Sequence, residues 1–396
     1  MSVDSERRIR IQEQLKQADV DAFICGLPAH VLLLSGYWPV VGTSLAIAVR
    51  EGPIVILAPE DEEELAKHGG ADEIHTYKPA QLDTLETLIE AQSKSLSVLA
   101  KKLSLQRKRI GYEHGGWYEA SSYAAMHLYR SSMAEMLERT FDHPHLIAAD
   151  EHLVHLRSRK TSQELERIRL ACRIAAEAFD EGRKRTQIGM KETEVAALFR
   201  APLSVNGVGR EGVERAGGFT FCMSGPNSAK ASGAFARSQA RQLAEGDLVL
   251  VHCNSYADGY WTDITRTYCL GKPDDRQTAL YDAIAVAHRA AREVIRPGVH
   301  AADVDKAARE VLEQRGFGKA FKHATGHGIG FAAINHLARP RLHPRSPDVL
   351  ETGMVFNVEP AIYLEDYGGI RHCDMIALTD NGMEELTAFQ EIPSKT

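Results

Sequence analysis

The sequence predicts two domains: an α/β domain, then an α+β domain built on a curved antiparallel sheet. With 396 residues, the chain is longer than one ordinary hydrophobic core requires. In its first part, short apolar runs alternate with helical patterns, whereas later long helical patterns flank strand-rich stretches with hairpin turn signals. We therefore predict domains at residues 1–154 and 155–396.

The N-terminal domain begins with a helical pattern over residues 5–18. Strands are predicted at 21–26, 44–50, 53–59, 73–77 and 109–113, and helices at about 60–67, 83–103 and 119–138. The alternation is typical of a small α/β domain. Its sequence shows no phosphate-binding loop, no paired catalytic motif and no metal-like cluster, so we interpret it as a structural, substrate-covering or dimerising domain.

The C-terminal domain begins with a long helix at Thr161 and Glu164, which have the spacing of a capping box. Further helices are predicted over 191–200, 278–295 and 302–315. Five strand-rich stretches lie between and after the helices: GGFTFCMSG, DLVLVHCN, YWTDITRTYCL, GMVFNVEPAIYL and GGIRHCDMIALT. This order indicates an α+β domain.

Composition and charge exclude several classes of function. The net charge is -7 and 44% of residues are hydrophobic, which is typical of a soluble globular protein. No Lys/Arg run is long enough to follow a phosphate backbone, so we expect no nucleic-acid partner. We also expect no membrane span and no signal peptide. Six scattered cysteines without CxxC spacing predict no disulfide framework, and together these features predict a cytoplasmic protein.

Polar residues interrupt strands that should be apolar, and they fall in two predicted hairpins. The first hairpin turns at an Asp-Gly dipeptide and brings His252 close to Asp263. The second turns within EDYGG and places Glu359 opposite Cys373. Opposed residues on one face of a hairpin have Cβ atoms about 5 Å apart. Each hairpin therefore presents a pair of candidate metal ligands, and the Gly-rich loop HATGHGIG lies between the hairpins.

The motif series resembles that of the pita-bread superfamily, which includes creatinase, prolidases and aminopeptidases. The matching segments cover about residues 155–390, in family order, and are LRSRKTSQELERIRLA, SGPNSA, DGYWTDITRT, HATGHGIG, GMVFNVEPAIY and GIRHCDM. The resemblance implies a C–N bond hydrolase with a creatinase-type N-terminal domain. It also implies a homodimer in which the N-terminal domain of one subunit covers the active site of the other.

The resemblance also implies a ligand set that is altered in this chain. The metal enzymes of the family hold two divalent ions with Asp, Asp, His, Glu and Glu, in that order. The corresponding positions here are His252, Asp263, His327, Glu359 and Cys373. His and Cys are themselves metal ligands, and a thiolate suits softer ions such as Zn. The set therefore suits one ion better than a pair of hard ions.

Five further positions are candidates for catalysis or substrate binding. Ser232 stands where the family commonly carries a His after SGPN, and Tyr260 follows the first hairpin turn; we assign both to substrate binding. His336 lies two residues beyond the usual place of another family His and is a candidate for proton transfer. His323 is expected to support the Gly-rich loop. Arg371 shares a strand face with the last ligand position and is expected to brace the site or the substrate carboxylate.

Three functions remain open from the sequence. An X-Pro dipeptidase-like or aminopeptidase-like hydrolase would use one divalent ion, Zn, Fe or Mn, to lower the pKa of a bound water to about 7. A metal-independent creatinase-like or ectoine-hydrolase-like amidohydrolase would bind a small substrate directly, although its branch would use the His that Ser232 replaces. A non-catalytic binding protein would use the same fold. The expected partner is a small molecule or a dipeptide.

Overall fold

The computed structural model describes residues 4–40, 42–78, 87–114, 131–233, 237–332, 338–387 and 389. They form two compact units, one that ends at Arg157 and one that begins at Ser158 and runs toward the C-terminus. Among the described helices, none is long and apolar enough to cross a membrane.

The first unit is built on a six-stranded mixed sheet with the strand order β4-β3-β2-β1-β5-β6. Its elements are α1 (Ser5–Gln17), β1 (Ala22–Cys25), α2 (Pro28–Ser35), β2 (Leu45–Val49), β3 (Ile54–Pro59), α3 (Glu63–Lys67), β4 (Glu73–Tyr77), α4 (Leu88–Lys102), β5 (Arg109–Tyr112), α5 (Ser131–Thr140), β6 (His145–Ala148) and α6 (Asp150–Ser158). The α/β prediction is confirmed. The sequence pattern missed α2, β6 and α6, and parts of the two predicted helices, residues 83–86 and 119–130, lie outside the described residues.

One cluster in this unit corrects an expectation, because the sequence showed no metal-like cluster there. Cys25, His30 and Glu113 place candidate ligand atoms within 4.8 Å of one another. Oε1 of Glu113 accepts hydrogen bonds from the main-chain N–H groups of Gly26 and Leu27, both at 2.6 Å. Its Oε2 contacts the ring of His30. The carboxylate thus closes the turn between β1 and α2. Cys25 and His30 are five residues apart, but Glu113 lies far along the chain, so no local motif reveals the group.

The second unit contains helices packed on antiparallel strands. Its elements are α7 (Ser162–Arg185), α8 (Glu192–Val205), β7 (Ala216–Ser224), β8 (Leu248–Ala257), β9 (Tyr260–Cys269), α9 (Asp275–Val294), α10 (Ala301–Gln314), β10 (Gly326–His327), β11 (Arg341–Leu342), β12 (Val355–Val358), β13 (Ala361–Leu364), β14 (Gly368–Arg371), β15 (Asp374–Thr379) and β16 (Gly382–Glu385). The strands pair as β7-β8-β9, β12-β15-β16, β13-β14 and β10-β11.

Helix α7 begins at the capping box that the sequence predicts. The amide of Glu164 donates to the Thr161 hydroxyl, and the amide of Thr161 donates to the Glu164 carboxylate, so two helix-end donors find partners. The buried face of the helix, which includes Phe179, packs with α8 and with the sheet β7-β8-β9. A second core joins α9 and α10 to β12–β15 around residues such as Ile284 and Phe356.

The sheet β7-β8-β9 has an apolar face and a polar face. Val251, Cys253 and Ile264 belong to the core with α7 and α8. Because side chains alternate along a strand, His252 and Asp263 lie on the other face. Burial of the apolar face thus fixes the direction in which the candidate ligands point.

Two isolated bridges join the small sheets of this unit. Thr265 of β9 bridges to Cys373, and Gly328 bridges to Phe356 of β12, both in antiparallel fashion. The strand-rich stretch GGIRHCDMIALT is divided between β14 and β15, with His372 and Cys373 between them. The antiparallel α+β prediction for this unit is confirmed.

Candidate active site

The first hairpin brings His252 and Asp263 together diagonally. Asp258 and Gly259 have φ values of 47° and 84°, as a two-residue hairpin turn with positive φ at both positions requires. This turn sets the register, so Asn254 is the direct partner of Asp263 and His252 pairs with Thr265. His252 thus lies two residues along β8 from the direct partner of Asp263, so the two side chains are diagonal neighbours and do not face each other directly. His252 Nδ1 lies 3.6 Å from Asp263 Oδ1.

The second hairpin follows the predicted register. Ala361 pairs with Arg371. The same register, continued by two residues, sets Glu359 opposite Cys373. The Cys373 amide, however, donates to the carbonyl of Thr265 in the first hairpin at 3.1 Å. This bond draws the two hairpins together, and candidate ligand atoms of Asp263, Glu359 and Cys373 lie within 4.8 Å of one another, all buried.

His327 faces both carboxylates from the Gly-rich loop. Its Nε2 lies 3.6 Å from Asp263 Oδ2 and 3.9 Å from Glu359 Oε1. The ring Nδ1 is 3.0 Å from the carbonyl oxygen of Gly328, to which it donates, and the His327 amide donates to Asn357 Oδ1 at 2.7 Å. These bonds fix the ring so that Nε2 points at the carboxylates.

The protonation states follow from burial and from the neighbouring charges. Burial opposes a charge on His327, but its contact with Asp263 and the charge of Glu359 raise its pKa to about 9. Burial raises the pKa of Glu359 to about 7, against the effect of Arg371. Asp263 is buried too, yet His252 and His327 hold its pKa below the usual range. Burial and the nearby carboxylates raise the pKa of the Cys373 thiol well above its usual value.

His252 lies at the edge of this set and is held by two hydrogen bonds. Arg371 Nε donates to the Thr265 hydroxyl at 3.0 Å, so that hydroxyl directs its own proton at His252 Nδ1, 3.0 Å away. His252 Nε2 then carries the ring proton toward Asn254 Oδ1 at 3.1 Å. Burial lowers the pKa of His252 to about 4, so the ring is neutral and both of its nitrogens are engaged.

Arg371 also belongs to a series of contacts that leads through Tyr363 to His323. Its Nε lies 3.8 Å from Glu359 Oε2, and its Nη1 donates to the Tyr363 hydroxyl at 3.4 Å. The Tyr363 hydroxyl lies 2.9 Å from His323 Nε2, and His323 Nδ1 lies 2.8 Å from the carbonyl of Ala324. His323 therefore touches the site through Tyr363 rather than directly.

The other sequence candidates are placed as follows. Ser232 is half-buried at the end of a short 3-10 helix. The carbonyl of its neighbour Ala231 accepts a hydrogen bond from Arg371 Nη1 at 3.4 Å. Tyr260 is buried on the strand face opposite to Asp263, with its ring centroid 5.8 Å from that of Phe331. His336 lies outside the described residues.

Three polar residues of the site were missed by the sequence reasoning. Asn254 and Asn357 each stand two residues from a candidate ligand, His252 and Glu359, on the same strand face. That alternation was the available signal. Tyr363 gave no comparable signal, because its partners come from other segments of the chain.

The residues fit one divalent ion and do not fit two. Among the five ligand positions, which the structure describes, only Asp263 and Glu359 are carboxylates, and Arg371 adds a positive charge beside Glu359. Two divalent ions would therefore leave a large buried excess of positive charge. One ion would deprotonate the Cys373 thiol. The two carboxylates and the thiolate then balance the ion and Arg371.

A second buried cluster lies near the site. His288, His372 and Asp374 place candidate ligand atoms within 4.8 Å of one another. Arg266, which is also buried, pairs with Asp374 and donates to the carbonyl of Cys373 at 2.7 Å. Because an arginine already compensates the carboxylate, we interpret this cluster as support for the Cys373 segment.

An α/β unit followed by antiparallel hairpins that gather Asp, His and Glu at one buried point defines a hydrolase of the metallopeptidase type. The chain belongs to metallopeptidase family M24, whose model matches residues 166–380. Residues 7–158 match the creatinase/prolidase N-terminal domain. These matches confirm the predicted superfamily and the class of enzyme.

Relatives and solved structures agree with this assignment over almost the whole chain. An Xaa-Pro dipeptidase from Pyrococcus furiosus is 28% identical over 96% of this chain and 97% of its own length. A second one, from Pyrococcus horikoshii, is 27% identical over 98% of both chains. The crystal structure of the prolidase from Pyrococcus horikoshii matches with a TM-score of 0.77 and 26% identity, over 98% of this chain and 100% of that one. The chain is thus an X-Pro dipeptidase-like hydrolase by family.

Proposed function

We propose that this protein hydrolyses X-Pro dipeptides at a site that holds one divalent ion. The observation that carries the proposal is the convergence of Asp263, Glu359 and Cys373 within 4.8 Å, with His327 Nε2 within 4 Å of both carboxylates. Carboxylate, imidazole and thiolate together suit Zn better than the harder Mn, with Fe between them. The named relatives that act on Xaa-Pro dipeptides support the substrate class.

His252 then acts as a positioning residue instead of a ligand. Both of its ring nitrogens already have partners, Thr265 and Asn254. Its neutral ring fills the place of a family carboxylate without adding negative charge. The replacement supports a site with one ion instead of two, because a site with fewer carboxylates compensates less positive charge.

Each of the remaining groups has a role that its geometry allows. A bound divalent ion supplies Lewis-acid polarisation of the substrate carbonyl and an acidic water. Glu359, which lies 3.9 Å from His327 and 3.8 Å from Arg371, would hold the ion with its ionised carboxylate. Arg371 is oriented by Thr265 and Tyr363 and offers its guanidinium to the carboxylate of a dipeptide.

A second candidate function, a metal-independent hydrolase of small C–N compounds, is favoured by one observation. His327 contacts Asp263 and Arg371 lies near Glu359, so the two carboxylates have cationic partners without any ion. A metal-free site of this kind would bind a small polar substrate directly. Metal content and sensitivity to chelators separate the two candidates.

The test is elemental analysis of purified protein together with turnover of Ala-Pro before and after exhaustive chelation. We expect one Zn or Fe per chain, lost in Cys373→Ala and retained in Cys222→Ala, which removes another buried cysteine of the same unit. Turnover that disappears on chelation supports the one-ion hydrolase. A chain that binds no ion from excess Zn, Fe or Mn, and whose activity resists chelators, contradicts it and supports the second candidate.

We further propose that the protein is a cytoplasmic homodimer. The homodimer extends the family resemblance, which implies that a second subunit contributes to the site. Light scattering after size exclusion tests it, since a monomer at micromolar concentration contradicts the proposal.

A further inference from the structure

Helix α10 carries a carboxylate, Asp305, on the face that it buries. The other buried residues of this helix are apolar, and they are Ala301, Val304, Ala308 and Leu312. Asp305 is only 1% exposed, and a buried carboxylate costs free energy unless a partner charge and hydrogen bonds compensate it. Its position therefore needs a structural reason, which its partners supply.

Asp305 pairs with Arg309 one helical turn later, and the pair holds the chain at the start of the Gly-rich loop. Arg309 Nε donates to Asp305 Oδ2 at 2.9 Å, and Arg309 Nη2 donates to Asp305 Oδ1 at 3.0 Å. The guanidinium also donates to the carbonyls of Phe321 at 3.3 Å and His323 at 3.0 Å. The two charges thus compensate each other and fix the segment that leads to His327.

Thr325 links Asp305 to the candidate ligands. Its amide and its hydroxyl both donate to Asp305 Oδ1, each at 2.9 Å. Its carbonyl accepts the amide of Glu359 at 2.7 Å. Thr325 also lies two residues before His327, so this one residue is connected through its main chain to two ligands.

The loop is tightly packed between Thr325 and these ligands. A Cβ at Gly326 would lie 1.9 Å from the carbonyl oxygen of Asn357, so only glycine lets the loop lie this close to β12. The His327 amide donates to Asn357 Oδ1 at 2.7 Å. Because packing of this kind leaves no room for independent movement, a shift of Thr325 moves His327 and Glu359 with it.

We propose that Asp305 is a positioning residue that sets, through Thr325, the distance between His327 and Glu359 and thereby the affinity of the site for its ion. His327 Nε2 lies 3.9 Å from Glu359 Oε1 in the structure. The effect on ion affinity rests on the proposed function, whereas the hydrogen bonds that position the two ligands do not depend on an ion. Loss of such a supporting contact commonly lowers metal affinity by about 10- to 100-fold.

The experiment measures Zn affinity by chelator competition, and main-chain hydrogen exchange, in the native chain, in Asp305→Ala and in Asp305→Asn. In Asp305→Ala we expect Zn affinity to fall by about 10- to 100-fold and the amides of Thr325 and Glu359 to exchange faster. Asp305→Asn keeps an oxygen that can accept both Thr325 donors, so it should restore most of the affinity and most of the protection. A merely structural role of the negative charge would give no such rescue.

Asp247→Ala is the matched control, because Asp247 is also a buried partner of an arginine in the same unit. It pairs with Arg241, accepts the Ala244 amide at 2.8 Å, and among the described residues contacts none of the candidate ligands. We expect this variant to lose stability as Asp305→Ala does, but to keep native Zn affinity and native exchange at Thr325 and Glu359. Equal losses of Zn affinity in the two variants overturn the inference, since a general loss of stability would then explain both.

Hydrogen exchange separates failure of the inference from failure of the proposed function. A native chain that binds no Zn contradicts the proposed function, and unchanged exchange at Thr325 and Glu359 in Asp305→Ala overturns the inference in that case. Where the native chain does bind Zn, an unchanged affinity in Asp305→Ala also overturns it. If Asp305→Ala does not fold, Thr325→Val replaces it, because this variant loses only the hydroxyl bond to Asp305. We expect smaller changes in the same directions there, and native affinity together with native Glu359 exchange would overturn the inference.

Discussion

Nε2 of His327 lies 3.6 Å from Oδ2 of Asp263, and this is the nitrogen that a metal ion at the site would need. Its other ring nitrogen is committed to the carbonyl of Gly328. In the ion-free site Asp263 and Glu359 stabilise the protonated ring and raise its pKa to about 9. A proton and an ion therefore compete for the same nitrogen.

This competition predicts a steep pH dependence of metal binding. Below pH 9 an incoming ion must displace the proton of His327 and also that of the Cys373 thiol, whose pKa lies well above its usual value. Zn affinity should rise with pH, by up to about 100-fold per unit for two protons. Competition with a Zn chelator at pH 7.5, 8.0 and 8.5, above the pKa of Glu359, measures it. Cys373→Ser should show the shallower slope of one proton, and an affinity independent of pH would contradict the ligand assignment.

Restoring the family carboxylates should restore the second ion. We expect the double variant His252→Asp, Cys373→Glu to bind two Mn per chain, because four carboxylates then face the site and can compensate the added charge. Elemental analysis provides the count, and each single variant serves as the control for the pair. A double variant that folds but holds one ion or none would show that the backbone no longer supports a two-ion site.

Asn357 should act on metal affinity without touching the ion. Its Oδ1 accepts the His327 amide at 2.7 Å, so Asn357→Ala frees the loop that carries the imidazole. Loss of such a supporting contact commonly lowers metal affinity by about 10- to 100-fold. The matched control is Asn206→Ala, whose amide makes an exposed contact with Glu181. Equal Zn affinity in Asn357→Ala and in the native chain would remove Asn357 from the site.

Arg266 should be a large contributor to stability. It is buried, pairs with Asp374 and donates to the carbonyls of Cys373 and Thr387 at 2.7 Å. Arg266→Met leaves the carboxylate buried without this partner, which should lower the free energy of unfolding by about 3–5 kcal/mol. Urea denaturation measures the change. Arg173→Met, which breaks an exposed pair with Glu211, should cost about 1 kcal/mol or less, and similar losses in the two variants would contradict the prediction.

Acid should destabilise the fold through His288. Burial lowers its pKa to about 3, below the value of about 6.5 in an unfolded chain, so the unfolded state binds the proton first. The stability that the neutral ring contributes is complete above pH 6.5 and falls by about 1.4 kcal/mol per pH unit as the pH drops toward 3. Urea denaturation at pH 7.5, 5.5 and 4.5 should show a shallower decline in His288→Gln. Parallel declines would exclude this residue as the cause.

Local chain patterns predicted the hairpins but not the way they meet. The second hairpin has the expected pairing of Glu359 with Cys373, because its turn and its alternation are both encoded nearby in sequence. In the first hairpin, the exact turn geometry at Asp258 and Gly259 moved the direct partner of Asp263 to Asn254. Alternation alone does not resolve such a small difference.

Contacts between distant segments could not be predicted from one sequence. The chain from His323 through Tyr363 to Arg371 depends on three segments that meet only in the fold. Helix α2, Pro28–Ser35, was missed for a different reason. It is buried on nearly all sides, so it lacks the polar face that gives a helix its periodic signal.

The bridge between Thr265 and Cys373 has a consequence for how this site can change during evolution. Main-chain atoms hold position 373, since its amide donates to the Thr265 carbonyl whatever the side chain is. The geometry of the scaffold is thus separated from the identity of the ligand it presents. Substitution of that one residue can therefore exchange a carboxylate for a thiol while the main-chain bond keeps the neighbouring strands in register.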